Sequence, residues 1–267
     1  ERNRYLKFCF AHSIRCYISP KISDIILMGS ERIHLFDTPL LMSRNMGLAV
    51  DQRVAKRIMD ILVSGIGIVI TSPIMLLIAI AVKAYDRGPV FYFQDRLTIG
   101  GKPFKICKFR SMCVDSEKNG ARLASKHDSR ITPVGHVLRN LHLDELPQLF
   151  NVFKGDMSLV GPRPERKTIM QEYEKELPEF YYRLKVKAGL TGYAQVYGKY
   201  NTTPYDKLKL DLFYIENYSF LLDIKLIFMT VKIFFQKEVS EGVDDKQVNA
   251  LKDSGRNTGA SEDKTEE

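Results

Sequence analysis

From Ile61 to Val82 the chain runs for 22 residues without a charged side chain. Drawn as a helix rising ~1.5 Å per residue, that stretch is about 33 Å long, enough to cross the hydrocarbon of a bilayer. Such a segment must be hidden by the rest of the protein or by lipid, and its length favours lipid over a buried core helix. Two features argue against a straight span. Ser72-Pro73 sits at the middle, where proline removes a backbone donor and bends a helix while a neighbouring serine can satisfy the freed carbonyl. Arg53, Lys56 and Arg57 precede the segment and Lys83 and Arg87 follow it; cationic flanks favour the cytoplasmic side, so both ends are drawn to one face. The pattern predicts a re-entrant hairpin that enters one leaflet and returns.

Charge narrows the partners. The sequence is formally +8, and because residues 253–267 carry five acids against two bases, residues 1–252 carry +11. Such an excess favours nucleic acid, anionic lipid or phosphorylated small molecules. The uncharged segment makes nucleic acid the least suited of these. Cysteines at 9, 16, 107 and 113 form no Cys-x-x-Cys pair and lack an accompanying histidine pattern, so reduced thiols are expected rather than zinc or a disulfide framework. The chain opens on Glu1 without a signal-peptide pattern and reads as a portion of a longer protein.

Around the apolar segment the elements are short. Apolar runs at 25–28 and 33–36 read as buried strands, or as a strand and a short helix, and a polar connector follows over 43–54. Residues 89–112 read as two strands around the turn Gly100-Gly101-Lys102-Pro103, the second ending in Lys108-Phe109-Arg110-Ser111-Met112. Its alternation of basic and apolar residues suits a half-buried strand with a solvated face, or an edge that turns Lys108 and Arg110 toward phosphate. A polar stretch over 113–130 contains a loop at Asn119-Gly120. Helical spacing is expected over 138–153, 168–183 and 205–218, and a short strand with loops over 189–198, where glycines admit close approach of backbone or ligand. From Phe220 to Phe235 apolar residues are interrupted by Asp223, Lys225 and Lys232, which fits a helix lying in a membrane interface or one packed on the core. Residues 241–267 read as a disordered tail.

The most chemically suggestive stretch is 141–164, which holds the adjacent carboxylates Asp144 and Glu145. One such group can act as nucleophile or base while its neighbour holds a cation. An Asp-Glu pair ahead of an apolar run also caps a helix and complements its dipole. Arg139 upstream and the rigid turn Pro162-Arg163-Pro164 downstream suggest a site for phosphorylated substrates.

These motifs, with Gly-Leu-Thr-Gly-Tyr-Ala-Gln-Val at 189–196, occur in an order that closely resembles the bacterial sugar transferases called monotopic phosphoglycosyl transferases, over about 54–240. The resemblance implies an α+β fold: a mostly helical, membrane-associated catalytic domain with a short sheet, a re-entrant membrane helix hairpin over 61–82 and interfacial amphipathic helices. Residues 1–53 resemble the segment that follows an upstream nucleotide-binding-like domain in larger, exopolysaccharide-type members. The implied reaction moves a sugar 1-phosphate, with a hexose favoured, from a UDP-sugar to undecaprenyl phosphate at the cytoplasmic membrane face, releasing UMP. It implies Asp144 as covalent nucleophile, Glu145 as partner of Mg2+, Arg139 at the lipid phosphate, and Pro162, Arg163 and Pro164 at the nucleotide. Lys56 and Arg57 would anchor the re-entrant helix, and Ser72 and Pro73 would break it. Many relatives carry Trp, Asn and Arg where this chain has Tyr193, Tyr197 and Lys199. A membrane-bound scaffold that binds anionic lipid without catalysis is the alternative.

Overall fold

The computed structural model describes residues 1–43, 47–114, 128–198 and 202–234. They divide into two units, Glu1–Arg44 and Asn45–Glu267. The first holds helices α1 (Arg2–Ala11) and α2 (Ile22–Met28) and an antiparallel hairpin of β1 (Glu31–Leu35) and β2 (Thr38–Met42). Of the two apolar runs the first is thus helix and the second strand. Neither is buried as expected: among the described residues of this unit only Ile25 is.

The second unit opens with α3 (Val50–Asp86), which begins inside the stretch expected as a polar connector. The stretch expected to re-enter forms one helical element, with Pro73 inside it. Proline leaves the carbonyl four residues back without its donor. The Ser72 hydroxyl supplies one, donating to the Val69 carbonyl at 2.8 Å, and Thr71 donates to Gly67 at 2.7 Å.

Both ends of α3 are held by the same unit. At its start, Lys56 bonds Asp223 at 2.5 Å and the Tyr214 hydroxyl at 3.0 Å, while Arg57 donates to the carbonyls of Val152 and Phe153 at 2.8 and 2.7 Å. At its finish, Asp86 pairs with Arg110. Along the second half, Met75, Ile78 and Val82 are buried against Phe109 and Leu138, with Leu143 and Leu146 packed on the same cluster. The face turned away is apolar and open, with Val69 72% and Ile70 69% exposed.

Strands β3 (Phe91–Leu97) and β4 (Pro103–Phe109) pair antiparallel in the register Phe91 to Phe109 through Leu97 to Pro103, turning at Gly100 and Gly101 in left-handed backbone. Helix α4 (Pro133–Asn140) is capped by the Thr132 hydroxyl, which accepts from the Gly135 amide at 2.9 Å. The single helix expected over 138–153 is broken into α4, a 3-10 turn at Leu143–Glu145, and α5 (Gln148–Lys154). His142, at φ 53°, ends one helix, and Pro147, which has no amide proton, starts the next. Strand β5 (Ser158–Val160) is followed by α6 (Lys167–Glu176), which Pro178 turns into a 3-10 stretch running to Lys185. Strand β6 (Gly189–Thr191) lies parallel to β5, and helices α7 (Tyr193–Tyr197), α8 (Pro204–Glu216) and α9 (Phe220–Phe234) complete the described residues. In α9, Asp223 and Leu226 are fully buried while Leu221 and Phe228 point out, so the helix packs on the core and still presents an apolar face. Asn119-Gly120, Lys199 and residues 241–267 lie outside the described residues.

Candidate active site

The break between α4 and α5 gives the two carboxylates a turn of their own. Leu143 and Leu146 bind that turn to the α3 cluster from either side of the pair. Asp144 is 8% exposed. Burial pushes its carboxyl above the ordinary aspartate value; Lys108, Arg139 and His142 oppose that push and the charge of Glu145 adds to it. Glu145 is treated in the opposite way. Lys108 bonds its Oε1 at 2.6 Å, and Arg163 reaches Oε1 at 2.5 Å and Oε2 at 3.4 Å. Burial alone would raise Glu145, yet the two cations outweigh it and hold the carboxyl far below the usual range. The two adjacent acids are thus displaced in opposite directions, one carboxyl more readily protonated and its neighbour held ionised, an arrangement that can separate two roles.

Lys108 reaches Glu145 because it shares a β4 face with the buried Phe104 and Ile106. Arg110, expected to face phosphate, does not join them. It is 8% exposed, pairs with Asp86, and packs so closely on Gly88 that a side chain there would overlap its guanidinium. Lys56 and Arg57 likewise bind within the protein, to α8 and α9 side chains and to the end of α5. Arg139, on the last turn of α4, acts electrostatically on Asp144 and Asp128 without a short bond to Asp144.

Arg163 is positioned by a tightly crossed backbone. Leaving β5, the chain bonds Thr191 through the Gly161 amide at 2.8 Å, and the Pro162 carbonyl accepts from Gly189 at 2.9 Å. A Cβ on Gly161 would lie 2.4 Å from the Lys187 carbonyl, so only glycine fits this approach. Beneath the turn, Arg183 donates to the Arg163 carbonyl at 3.0 Å and Arg96 to that of Pro164 at 3.1 Å. Arg183 also pairs with Glu165 at 3.3 Å and Asp211 at 2.8 Å, and Lys207 closes on Glu165. The site therefore joins Lys108, Asp144, Glu145 and Arg163.

Among the described residues no three His, Cys, Asp or Glu side chains cluster as a metal cage. Magnesium needs none: it binds one or two carboxylates and takes its remaining ligands from substrate phosphates and water. Glu145, whose Oε1 takes both short bonds and whose Oε2 has only the long contact, fits that demand.

A model of the bacterial sugar transferase family matches residues 51–237. The chain belongs to that family. Over 238 residues this bacterial sugar transferase is 40% identical to the UDP-N-acetylgalactosamine-undecaprenyl-phosphate N-acetylgalactosaminephosphotransferase of Aeromonas hydrophila, covering 87% of the present chain and 55% of the relative. It is 44% identical over 208 residues to the UDP-glucose:undecaprenyl-phosphate glucose-1-phosphate transferase of Klebsiella pneumoniae, covering 76% and 43%. A protein of the same description from Caulobacter vibrioides is 36% identical over 229 residues, covering 81% and 84%. The chain spans about half the length of the first two relatives. In this transferase Tyr193 and Tyr197 have their ring centres 4.5 Å apart, with the Tyr197 hydroxyl on the sulfur of Met229 at 3.3 Å. Sequence reasoning missed Asp60, Arg96, Glu165, Arg183 and Asp211. Their one signal is charge where the surrounding elements are apolar or tightly turned.

Proposed function

We propose that the chain transfers a sugar 1-phosphate, favouring a hexose, from a UDP-sugar to undecaprenyl phosphate and releases UMP, as the initiating step of exopolysaccharide, capsule or related glycan synthesis. The observation that carries this reading is the placement of Asp144, a buried carboxyl that burial pushes up, directly beside Glu145, which Lys108 and Arg163 bond and hold ionised. Asp144 has the environment of a nucleophile. Its carboxylate oxygen forms a bond to the sugar-bearing phosphorus, and the bridging oxygen leaves with UMP, taking the bonding electrons. An oxygen of the lipid phosphate then attacks the same phosphorus and the bond to Asp144 breaks, so the carboxylate is restored. Arg163, fixed beside Glu145, is placed to bind the diphosphate, and Arg139 the lipid phosphate. Magnesium held at Glu145 supplies neutralising charge for phosphate oxygens when bound.

The membrane is part of the reading. The open apolar face of α3, its cationic flanks and the attachment of both its ends to one unit support embedding from the cytoplasmic face with re-entry. Cysteines placed before Lys56 and after Arg87 then label from the same side of sealed vesicles. Activity is tested by supplying magnesium, undecaprenyl phosphate and a panel of UDP-sugars and measuring UMP. Release with one or more sugars, lost in Asp144→Asn, is expected. Lipid binding with no release from any sugar would make the chain a scaffold, and full activity in Asp144→Asn would remove the nucleophile.

A further inference from the structure

Asp60 lies one turn after Lys56, just before the uncharged stretch of α3, and is 2% exposed. Its Oδ1 accepts from the Ser158 hydroxyl at 2.9 Å and from the Leu159 amide at 2.9 Å. The carbonyl of the next residue, Val160, lies 3.3 Å from the Tyr214 hydroxyl, to which Lys56 donates at 3.0 Å. Three successive residues of β5 are thus held by one turn of α3 and its partner. The strand then passes into Gly161 and on to Pro162, Arg163 and Pro164, where Arg163 meets Glu145.

We infer that Asp60 is a positioning residue for the transfer, setting the height of β5 so that Arg163 lands on Glu145. The inference rests on the reading of Asp144 and Glu145 given above. The other half of α3 supports the carboxylate turn, since Met75, Ile78 and Val82 form the cluster on which Leu143 and Leu146 pack. One helix is therefore the common base of the two parts of the site, and Asp60 is its polar link to the nucleotide side. One carboxylate oxygen takes both bonds, so the acceptor rather than the charge does the positioning, and an amide oxygen at that place serves as well. Asp60 bonds Ser158 and Leu159 rather than Asp144, so its effect is expected on how the UDP-sugar is held.

The test uses the full chain in phospholipid nanodiscs, with UMP release measured against UDP-sugar and undecaprenyl phosphate separately. One lost hydrogen bond to a charged acceptor corresponds to about a tenfold change. Asp60→Ala is expected to lower kcat/KM for the UDP-sugar by about 30-fold or more and Ser158→Ala by about tenfold, with KM for undecaprenyl phosphate unchanged. The double variant is expected to be no worse than Asp60→Ala, because both changes remove the same link. Asp60→Asn is expected to stay within about threefold of wild type, since it keeps the acceptor. Hydrogen exchange at the Leu159 amide is expected to accelerate in Asp60→Ala and not in Asp60→Asn. Wild-type kinetics in Asp60→Ala, additive losses in the double variant, or equal losses toward both substrates would overturn the inference. Should Asp60→Ala not fold, Ser158→Ala decides: loss confined to the UDP-sugar supports the inference, and unchanged kinetics refute it. If the wild-type chain releases no UMP, the functional reading falls, while the exchange measurement still decides whether Asp60 fixes the strand.

Discussion

Lys56 and Asp223 form a buried ion pair, and its removal has a calculable consequence. Their side chains are 7% and 0% exposed at a separation of 2.5 Å, and Asp223 also accepts from the Tyr214 hydroxyl at 2.8 Å. The Lys56 ammonium lies 5.7 and 5.5 Å from the ring centres of Tyr214 and Tyr218. Lys56→Met leaves a carboxylate in the interior with a single neutral donor. Removing one partner of a buried pair costs about 3–5 kcal/mol, because the desolvation of the remaining charge is no longer offset. For a domain of this size each kcal/mol moves the midpoint by about 2–4 °C, so the Tm is expected to fall by about 6–20 °C. Asp223→Asn is expected to fall comparably, as it strands the ammonium. In Lys56→Met/Asp223→Leu both charges are gone, and apolar groups of similar volume in place of a pair are close to neutral, so most of the loss returns. Thermal unfolding in one detergent, followed by circular dichroism, measures all three. Single variants within about 2 °C of wild type, or a double variant that loses the sum of the singles, would refute the assignment of α3 anchoring to this pair.

Other consequences follow from the site. Arg183 and Lys207 hold Glu165 at about 2 against the burial that would raise it above its ordinary 4.5. A depressed folded value means that its stabilisation is complete above about pH 4.5 and is lost as pH falls toward 2. The Tm difference between wild type and Glu165→Gln is thus expected to be largest near neutrality and to shrink below pH 4.5; a difference constant with pH contradicts the ion pairs. Asp144 is displaced upward, so the acid limb of UMP release should lie above that of an ordinary carboxylate. Lys108→Met, which removes a charge that favours the ionised form, should move the limb higher still, and an unshifted pH–rate profile speaks against Asp144 as the titrating group. Chelation of magnesium is expected to stop UMP release while leaving the Tm within about 2 °C, since Lys108 and Arg163 already neutralise Glu145. A large drop in Tm would assign the metal a structural place instead.

Periodicity and charge made the local elements legible: the long apolar helix, the β3–β4 hairpin around Gly100-Gly101, α8, and the position of the carboxylate pair. What they could not reveal is which charges face inward. Asp223 interrupts an apolar run and so reads as a surface residue, yet it is the buried partner of a lysine 167 positions earlier. Arg110 and Lys108 belong to one alternating strand, and only the packing of the end of α3 decides that Arg110 serves Asp86 while Lys108 serves Glu145. Likewise a hydroxyl beside proline is legible as a substitute donor, but whether it completes a ladder or merely softens a break depends on geometry. The single helix expected over 138–153 failed because helical spacing persists through His142 and Pro147 although the backbone does not.

The three glycines at 161, 189 and 192 meet with so little room that a Cβ on any of them would come within 2.4 Å of a backbone atom. Main chain resting on main chain leaves no side chain to trim, so the path of the turn that carries Arg163 cannot be retuned by small substitutions. Attempts to reshape the site should accordingly vary the outward side chains of neighbouring loops and treat these glycines as fixed points.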